Sequence, residues 1–239
     1  MTVFDVAETD RLLTTTRSVR RRLDLDRPVR RQLIEESLDV AVQAPNANDQ
    51  QSWRWVVITD DAVKQELSEV FDISWRFHRH EAWTNSGRRR RNRSAQRNNE
   101  SAELLARNIA RVPVLVIPCL LGRPPDICEV DAEWLRTRPR DADTQRQDVR
   151  LGAMRASTFY GSIFPAIWSF QLALRSRGLG STITCMHLPF ERRVGQLLGI
   201  PSGVTQVCMI PVAHTVGTEF SPAKRSPAAS RTSWEGWQT

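Results

Sequence analysis

The chain has 239 residues, a formal net charge of +7 and 40% hydrophobic residues. That length allows one sizeable domain, and the composition is ordinary for a globular protein rather than a membrane, fibrous or disordered one. The longest apolar run, Val112–Leu121, is broken by Pro113 and Pro118 and falls far short of a bilayer span. The acidic N-terminus, Met1 to Asp10, has no hydrophobic signal core, so a cytoplasmic protein is expected.

Residues 5–15 read as a short helix that leads into a basic turn, Arg17–Arg22. Residues 29–43 carry Val29, Leu33, Ile34, Leu38, Ala41 and Val42 at helical spacing, with Pro28 just ahead. Ala44-Pro-Asn-Ala-Asn-Asp49 is turn chemistry. Trp53–Ile58 reads as a strand, and 60–72 as a helix opened by Asp60 or Asp61. Residues 78–100 are polar and arginine-rich with poor periodicity, and read as a lid or loop with some helix. Helix resumes over 101–110, and a largely buried strand follows over 112–121. Residues 122–150, dense in Pro, Asp and Arg, read as an exposed excursion.

One long helix is expected around 160–178, with Ile163, Ile167, Phe170 and Leu174 along its buried face and Gly178 and Gly180 at its end. A strand at 181–186, a short helix at 189–198 closed by Gly199, and a strand from Thr205 to Ala213 complete the pattern. The tail from 217 has little core of its own. It ends in Trp234 and Trp237, which need a surface to cover them, and a partner subunit is a natural candidate. Alternating helices and strands without a repeat suggest one α/β or α+β sheet covered by helices. There is no Gly-x-Gly-x-x-Gly fingerprint and no Walker loop.

The four cysteines, Cys119, Cys128, Cys185 and Cys208, are widely spaced and form no Cys-x-x-Cys pair, so neither a disulfide framework nor zinc is expected. His78 and His80 sit among arginines that would repel a metal ion, and no metal site is expected there. Arg88–Arg93 could be a nucleic-acid patch, a solvated segment or an electropositive rim. No nucleic-acid motif accompanies it, so nucleic acid is not the expected partner. His187 and His214 have no acidic partner in a motif and read as structural. Arg17, Ser18 and Arg20 supply two guanidinium forks and a hydroxyl within four residues, which suits either a phosphate or a solvated basic turn. Trp168 either shapes a binding face or belongs to the core.

Three segments taken together decide between such readings. Arg17-Ser-Val-Arg20, the frame Ala44-Pro-Asn-Ala-Asn-Asp-Gln-Gln-Ser-Trp53 and Lys224-Arg225 near the end occur in an order that resembles the nitroreductase family of FMN-dependent oxidoreductases. The likeness runs from near Phe4 into the Lys224-Arg225 tail and is weakest over 76–100 and 122–148. It implies a single α+β domain over 1–239: a three-layer sandwich with a mixed central sheet, dimeric, with a basic lid-like insert at about 76–100 and a tail from 217. It implies FMN, with Arg17, Ser18, Arg20, Lys224 and Arg225 at the phosphate. Asn46, Asn48, Asp49 and Gln51 would hold the ribityl and pyrimidine parts. Pro165, Ala166, Ile167 and Trp168 would line the ring through a backbone N–H near flavin N5, with Gly180 beyond them. Trp168 would also meet substrate.

The implied reaction is ping-pong. Hydride passes from NADPH or NADH to flavin N5, and the flavin then reduces a small-molecule electron acceptor such as a nitroaromatic or quinone. The flavin supplies the redox chemistry, so no protein residue is expected to be catalytic. Here Asp49 stands where the family has asparagine and Ser52 where it has proline. The Asp49 carboxylate is expected to lower the flavin potential, unless Asn48 shifts in to replace the amide. The departure at Asp49 and the basic insert leave open a specialised relative (a desaturase, dehalogenase or flavin-fragmenting enzyme). A non-enzymatic flavin store or a nucleic-acid binder also stays open.

Overall fold

The computed structural model describes residues 4–84, 93–127 and 151–237. The helices are α1 (Val6–Thr15), α2 (Arg31–Ala41), α3 (Asp61–Thr84), α4 (Arg93–Asn108), α5 (Leu151–Gly161), α6 (Phe164–Ser176) and α7 (Glu191–Leu198). The strands are β1 (Leu23–Asp24), β2 (Trp53–Ile58), β3 (Val114–Leu121), β4 (Leu179–Ser181), β5 (Val204–Gln206) and β6 (Ile210–Thr215).

The sequence of β3 explains the layering. Side chains alternate between the faces of a strand. Val114, Val116 and Leu120 enter one core with Ile34 and Ala41 of α2 and Ile167, Phe170 and Leu174 of α6. Leu115, Ile117 and Cys119 enter a second core with Leu67, Val70 and Phe71 of α3, Leu105 of α4 and Val194 of α7. Strand β6 divides the same way, with Ile210 and Val212 in the first core and Met209, just ahead of it, and Ala213 in the second. A strand apolar at nearly every position is therefore buried on both sides, and helices cover both faces of the sheet.

Among the described residues the sheet has six strands in the order β1-β6-β3-β2, with β4 also on β6 and β5 also on β3. Every ladder is antiparallel. The expected mixed character comes down to two isolated parallel bridges, Ser18–Ser181 and Gly122–Val204. Thr205–Ala213 was expected as one strand but is split: β5 pairs with the end of β3 and β6 with its start. At the junction the Pro118 carbonyl accepts from the Val207 N–H at 2.9 Å. A proline inside this central strand is tolerated because its missing N–H falls at the break between the two ladders.

Two helical expectations change. Helix α3 continues to Thr84 and α4 begins at Arg93, so much of the expected lid is an α-helical pair. Leu67, Val70, Phe71 and Ser74 continue a buried stripe along α3. On α4 the exposed face is laced by pairs such as Arg107–Glu103 at 2.7 Å, which weakens the apolar period without weakening the helix. The helix expected around 160–178 is α6, Phe164–Ser176, while α5, ending at Gly161, was not expected; the two stay separate because Pro165 in the first turn of α6 cannot continue hydrogen bonds back into α5. The strand expected at 181–186 ends at Ser181, and beyond it only Thr184 bridges to Met209. Three expectations fall wholly or mostly outside the described residues: the Arg88–Arg93 run, the exposed excursion at 122–150, and Cys128. Among the described residues no helix is long and apolar enough to cross a membrane.

Candidate functional site

The segment Arg17–Arg20 is stitched to the end of β4. The Val19 N–H donates to the Ser181 carbonyl at 2.9 Å, and Val19 is buried in the second core. Gly180 makes this approach possible. A Cβ there would lie 2.6 Å from Thr215 Cγ2 and 3.0 Å from Val19 Cγ1. Its glycine is therefore a packing requirement that places the basic segment, with no side chain to offer a ligand.

The two guanidiniums part company. Arg17 is exposed and donates to the Ser221 carbonyl at 2.8 Å, beside the start of the tail. Arg20 turns the other way, to Asn98 Oδ1 at 3.0 Å and Ser101 Oγ at 3.4 Å on α4. Arg17 and Arg20 thus point to different partners, one toward the tail and one toward α4.

The tail is pinned by residues that no motif marked. Arg22 donates to the Val216 and Glu219 carbonyls, each at 2.8 Å, and Arg175 donates to Thr218 at 2.7 Å. Both guanidiniums lie against the Phe220 ring, 4.2 and 4.8 Å from its centre. Lys224 and Arg225 follow within four residues of Ser221, so the chain cannot carry them farther than about 14 Å from the Arg17 contact. Both are exposed. Arg17, Ser18, Lys224 and Arg225, all exposed, thus fall within one reach of chain, a cationic corner.

The second group is the 46–51 loop. Asn48, Asp49 and Gln51 all have left-handed backbone, with φ of 53°, 50° and 47°. Three such non-glycine residues in four positions store strain, which functional sites commonly do. Local polar bonds hold them: the Gln51 N–H donates to Asn46 Oδ1 at 2.9 Å, and Asp49 Oδ1 accepts from the Gln51 and Asn46 amides at 3.1 and 3.4 Å. Ser162, another residue without a motif, anchors the loop by accepting from the Ala47 N–H at 3.2 Å.

Helix α6 links the two groups. Ser162 stands at its start, while Gln171 donates to Ser181 Oγ at 3.1 Å beside the basic segment. Nine residues of helix separate these anchors by about 14 Å. Between them Phe164 and Trp168, one turn apart, are 44% and 42% exposed. Trp168 is therefore not a core residue. Ala166 and Ile167 are at 0% exposure inside the first core. Neither their side chains nor their N–H groups reach the surface, and Ile167 N–H is bonded to the Ile163 carbonyl at 2.9 Å. Of the four residues expected against a flavin ring, half-buried Pro165 and exposed Trp168 present surface.

Of the cysteines, Cys119 and Cys208 are buried, and burial pushes the Cys119 thiol up to about 12. Cys185 is exposed, unlike the strand residue expected, because the chain has left the sheet. His187 is wholly buried with neither ring nitrogen bonded, and burial pushes its pKa down to about 4.

The chain belongs to the nitroreductase family: the match spans residues 13–214, most of the chain. Similar solved structures share 17–20% identity and so speak to the fold. A BluB-like flavoprotein from Clostridium difficile 630 is 17% identical with a TM-score of 0.67, over 98% of this chain and 100% of that one. A nitroreductase-like protein from Bacillus cereus is 17% identical with a TM-score of 0.61, over 99% and 100%. Oxidised iodotyrosine deiodinase, solved with FMN and 3-iodo-L-tyrosine, is 20% identical with a TM-score of 0.59, over 91% and 92%. Comparison with curated proteins returns no match.

Proposed function

We propose that the protein is an FMN-dependent oxidoreductase, using NADPH or NADH to reduce a small organic acceptor in two alternating half-reactions. The observation that carries this reading is the surface along α6, with a cationic corner at one end, a strained amide and carboxylate loop at the other, and an exposed Trp168 between them. The donor set fits FMN. Arg17, Ser18, Lys224 and Arg225 supply cationic and hydroxyl donors for the phosphate. Asn46 and Gln51 supply amides for the polar edge of the ring, and Pro165 and Trp168 a flat apolar contact. FMN, when bound, would supply the hydride chemistry; the protein's part is to bind, orient and set charge.

Asp49 is placed to set that charge. Its Oδ1 already accepts two amide hydrogen bonds, so Asn46 and Gln51 hold it in one orientation. A carboxylate at the edge of the ring disfavours added negative charge there and lowers the flavin potential. A second copy of the chain is the expected partner: Trp234 and Trp237 are 78% and 91% exposed at the end of the tail.

FMN titration by quenching of flavin fluorescence tests the reading. Wild type should bind one FMN per chain, and Arg17→Ala should weaken binding about tenfold or more, the worth of a charge-assisted contact. Failure of the wild type to bind FMN, or no loss in Arg17→Ala, would refute it. The specialised relatives remain the second reading, favoured by Asp49. They would hold FMN equally well but resist reduction by NADPH and NADH.

A further inference from the structure

From Gly217 to Ser226 the tail makes no backbone–backbone hydrogen bond among the described residues. Arginine side chains from three places in the fold set its path instead. Arg17 follows α1, Arg22 precedes β1, and Arg175 sits in the last turn of α6. Between them they donate to the carbonyls of Val216, Thr218, Glu219 and Ser221 at 2.7–2.8 Å.

The single aromatic ring of this stretch takes two of those guanidiniums. Arg22 and Arg175 lie 4.2 and 4.8 Å from the centre of Phe220. A cation over a ring face is held by the ring quadrupole, and more strongly where water is partly excluded. Burial, then Arg11, lowers the Arg175 pKa while Glu219 opposes them, and the guanidinium stays charged. Helix α6 connects this clamp to the cationic corner. Gln171 and Arg175 stand one turn apart on one face of the helix. Gln171 donates to Ser181 Oγ at 3.1 Å, and the Ser181 carbonyl accepts from the Val19 N–H at 2.9 Å. Arg175 holds the tail at Thr218. The end of α6 thus places Arg17 and Ser18 from one side, and Lys224 and Arg225 from the other.

We infer that Phe220, clamped by Arg22 and Arg175, is a positioning residue that sets the preference for a phosphorylated flavin over an unphosphorylated one. This rests on the flavin reading and concerns where Lys224 and Arg225 stand when the phosphate arrives. Both are exposed and follow the ring within five residues, so the clamp limits the volume they explore. Donors that are already ordered lose less freedom on binding, and only a ligand that carries the phosphate gains from it.

Fluorescence titration of the full-length protein with FMN and with riboflavin, which lacks the phosphate, tests the inference. Wild type should bind FMN at least about tenfold tighter than riboflavin. Phe220→Leu and Arg175→Met should each cut that preference about fivefold and change riboflavin affinity less than about twofold. Phe220→Tyr, which keeps the ring, should retain the preference. Arg225→Ala should weaken FMN binding about tenfold in the wild-type background but only about twofold in Phe220→Leu, because the clamp and Arg225 act as one unit. A preference intact in either Phe220→Leu or Arg175→Met, equal losses for the two flavins, or a full Arg225→Ala effect in Phe220→Leu would overturn the clamp and leave the flavin reading standing. A wild type that binds neither flavin, or both alike, would refute the flavin reading at this corner and the clamp with it.

Discussion

Gly180→Ala is the substitution whose effect the packing defines best. Its new Cβ would meet Thr215 Cγ2 at 2.6 Å and Val19 Cγ1 and Cβ at 3.0 and 3.1 Å. Neither neighbour can yield easily. Thr215 lies in β6, and its hydroxyl donates to the Gly178 carbonyl at 3.3 Å, while Val19 is buried and bonded to Ser181. Overpacking of this kind costs about 1–3 kcal/mol. Loss of glycine's freedom in the unfolded chain returns about 0.4–1 kcal/mol. The net expectation is about 1–2 kcal/mol, a fall in Tm of about 2–8 °C for a chain this long. Thr215→Ser removes the offending methyl and keeps the hydroxyl, so the double variant should recover about 0.5–1 kcal/mol relative to additivity. Urea unfolding followed by far-UV circular dichroism measures all four corners of the cycle. A Gly180→Ala variant as stable as wild type, or strict additivity with Thr215→Ser, would refute the claim that Gly180 is kept for close approach.

Three further outcomes follow from the site and its surroundings. His187 is buried with its pKa near 4 against 6.5 in the unfolded chain, so the unfolded state binds more protons between those values. Stability should therefore fall as pH drops from about 6.5 toward 4, by up to ~1.4 kcal/mol per unit, and His187→Leu should flatten that slope in urea titrations at stepped pH. Glu191 takes two bonds from Arg123, both at 2.8 Å, and one from the Gln206 N–H at 3.0 Å; Arg123 holds its carboxyl below the ordinary range. Glu191→Gln should cost about 1 kcal/mol at neutral pH, since the pair is partly exposed. That cost should vanish as pH falls through the lowered pKa and the wild-type carboxyl becomes neutral. Asp49→Asn should raise the flavin midpoint potential by about 30 mV or more, the equivalent of ~1.4 kcal/mol for two electrons, measured by dye equilibration; an unchanged potential removes Asp49 from charge control.

The layering was legible wherever burial and periodicity agree. Val112–Leu121 read as a buried strand because both faces of β3 are covered, and the α2 stripe of Leu33, Ile34, Leu38 and Ala41 read as a helix for the matching reason. The α3–α4 pair did not, because its outer faces are charged and carry their support in ion pairs that a period search does not count. Helix α6 was legible from its apolar stripe and glycine stop, whereas α5 ahead of it, with only the small Gly152 and Ala156 buried among its described side chains, was not. For the site, the order of three loose motifs pointed to the right family, yet motif order says nothing about direction. Arg17 and Arg20, three residues apart in an extended segment, face different partners. Ala166 and Ile167 fell within a motif but face the core. Ser162, Arg22, Arg175 and Phe220 place the loop and the tail through contacts distant in sequence, and no local pattern could have marked them.

The most direct test of the central claim is the visible spectrum of the purified protein before and after anaerobic addition of NADPH, and separately NADH. The account predicts a yellow protein carrying FMN that bleaches with at least one of the two. A colourless protein that also fails to bind added FMN would contradict it.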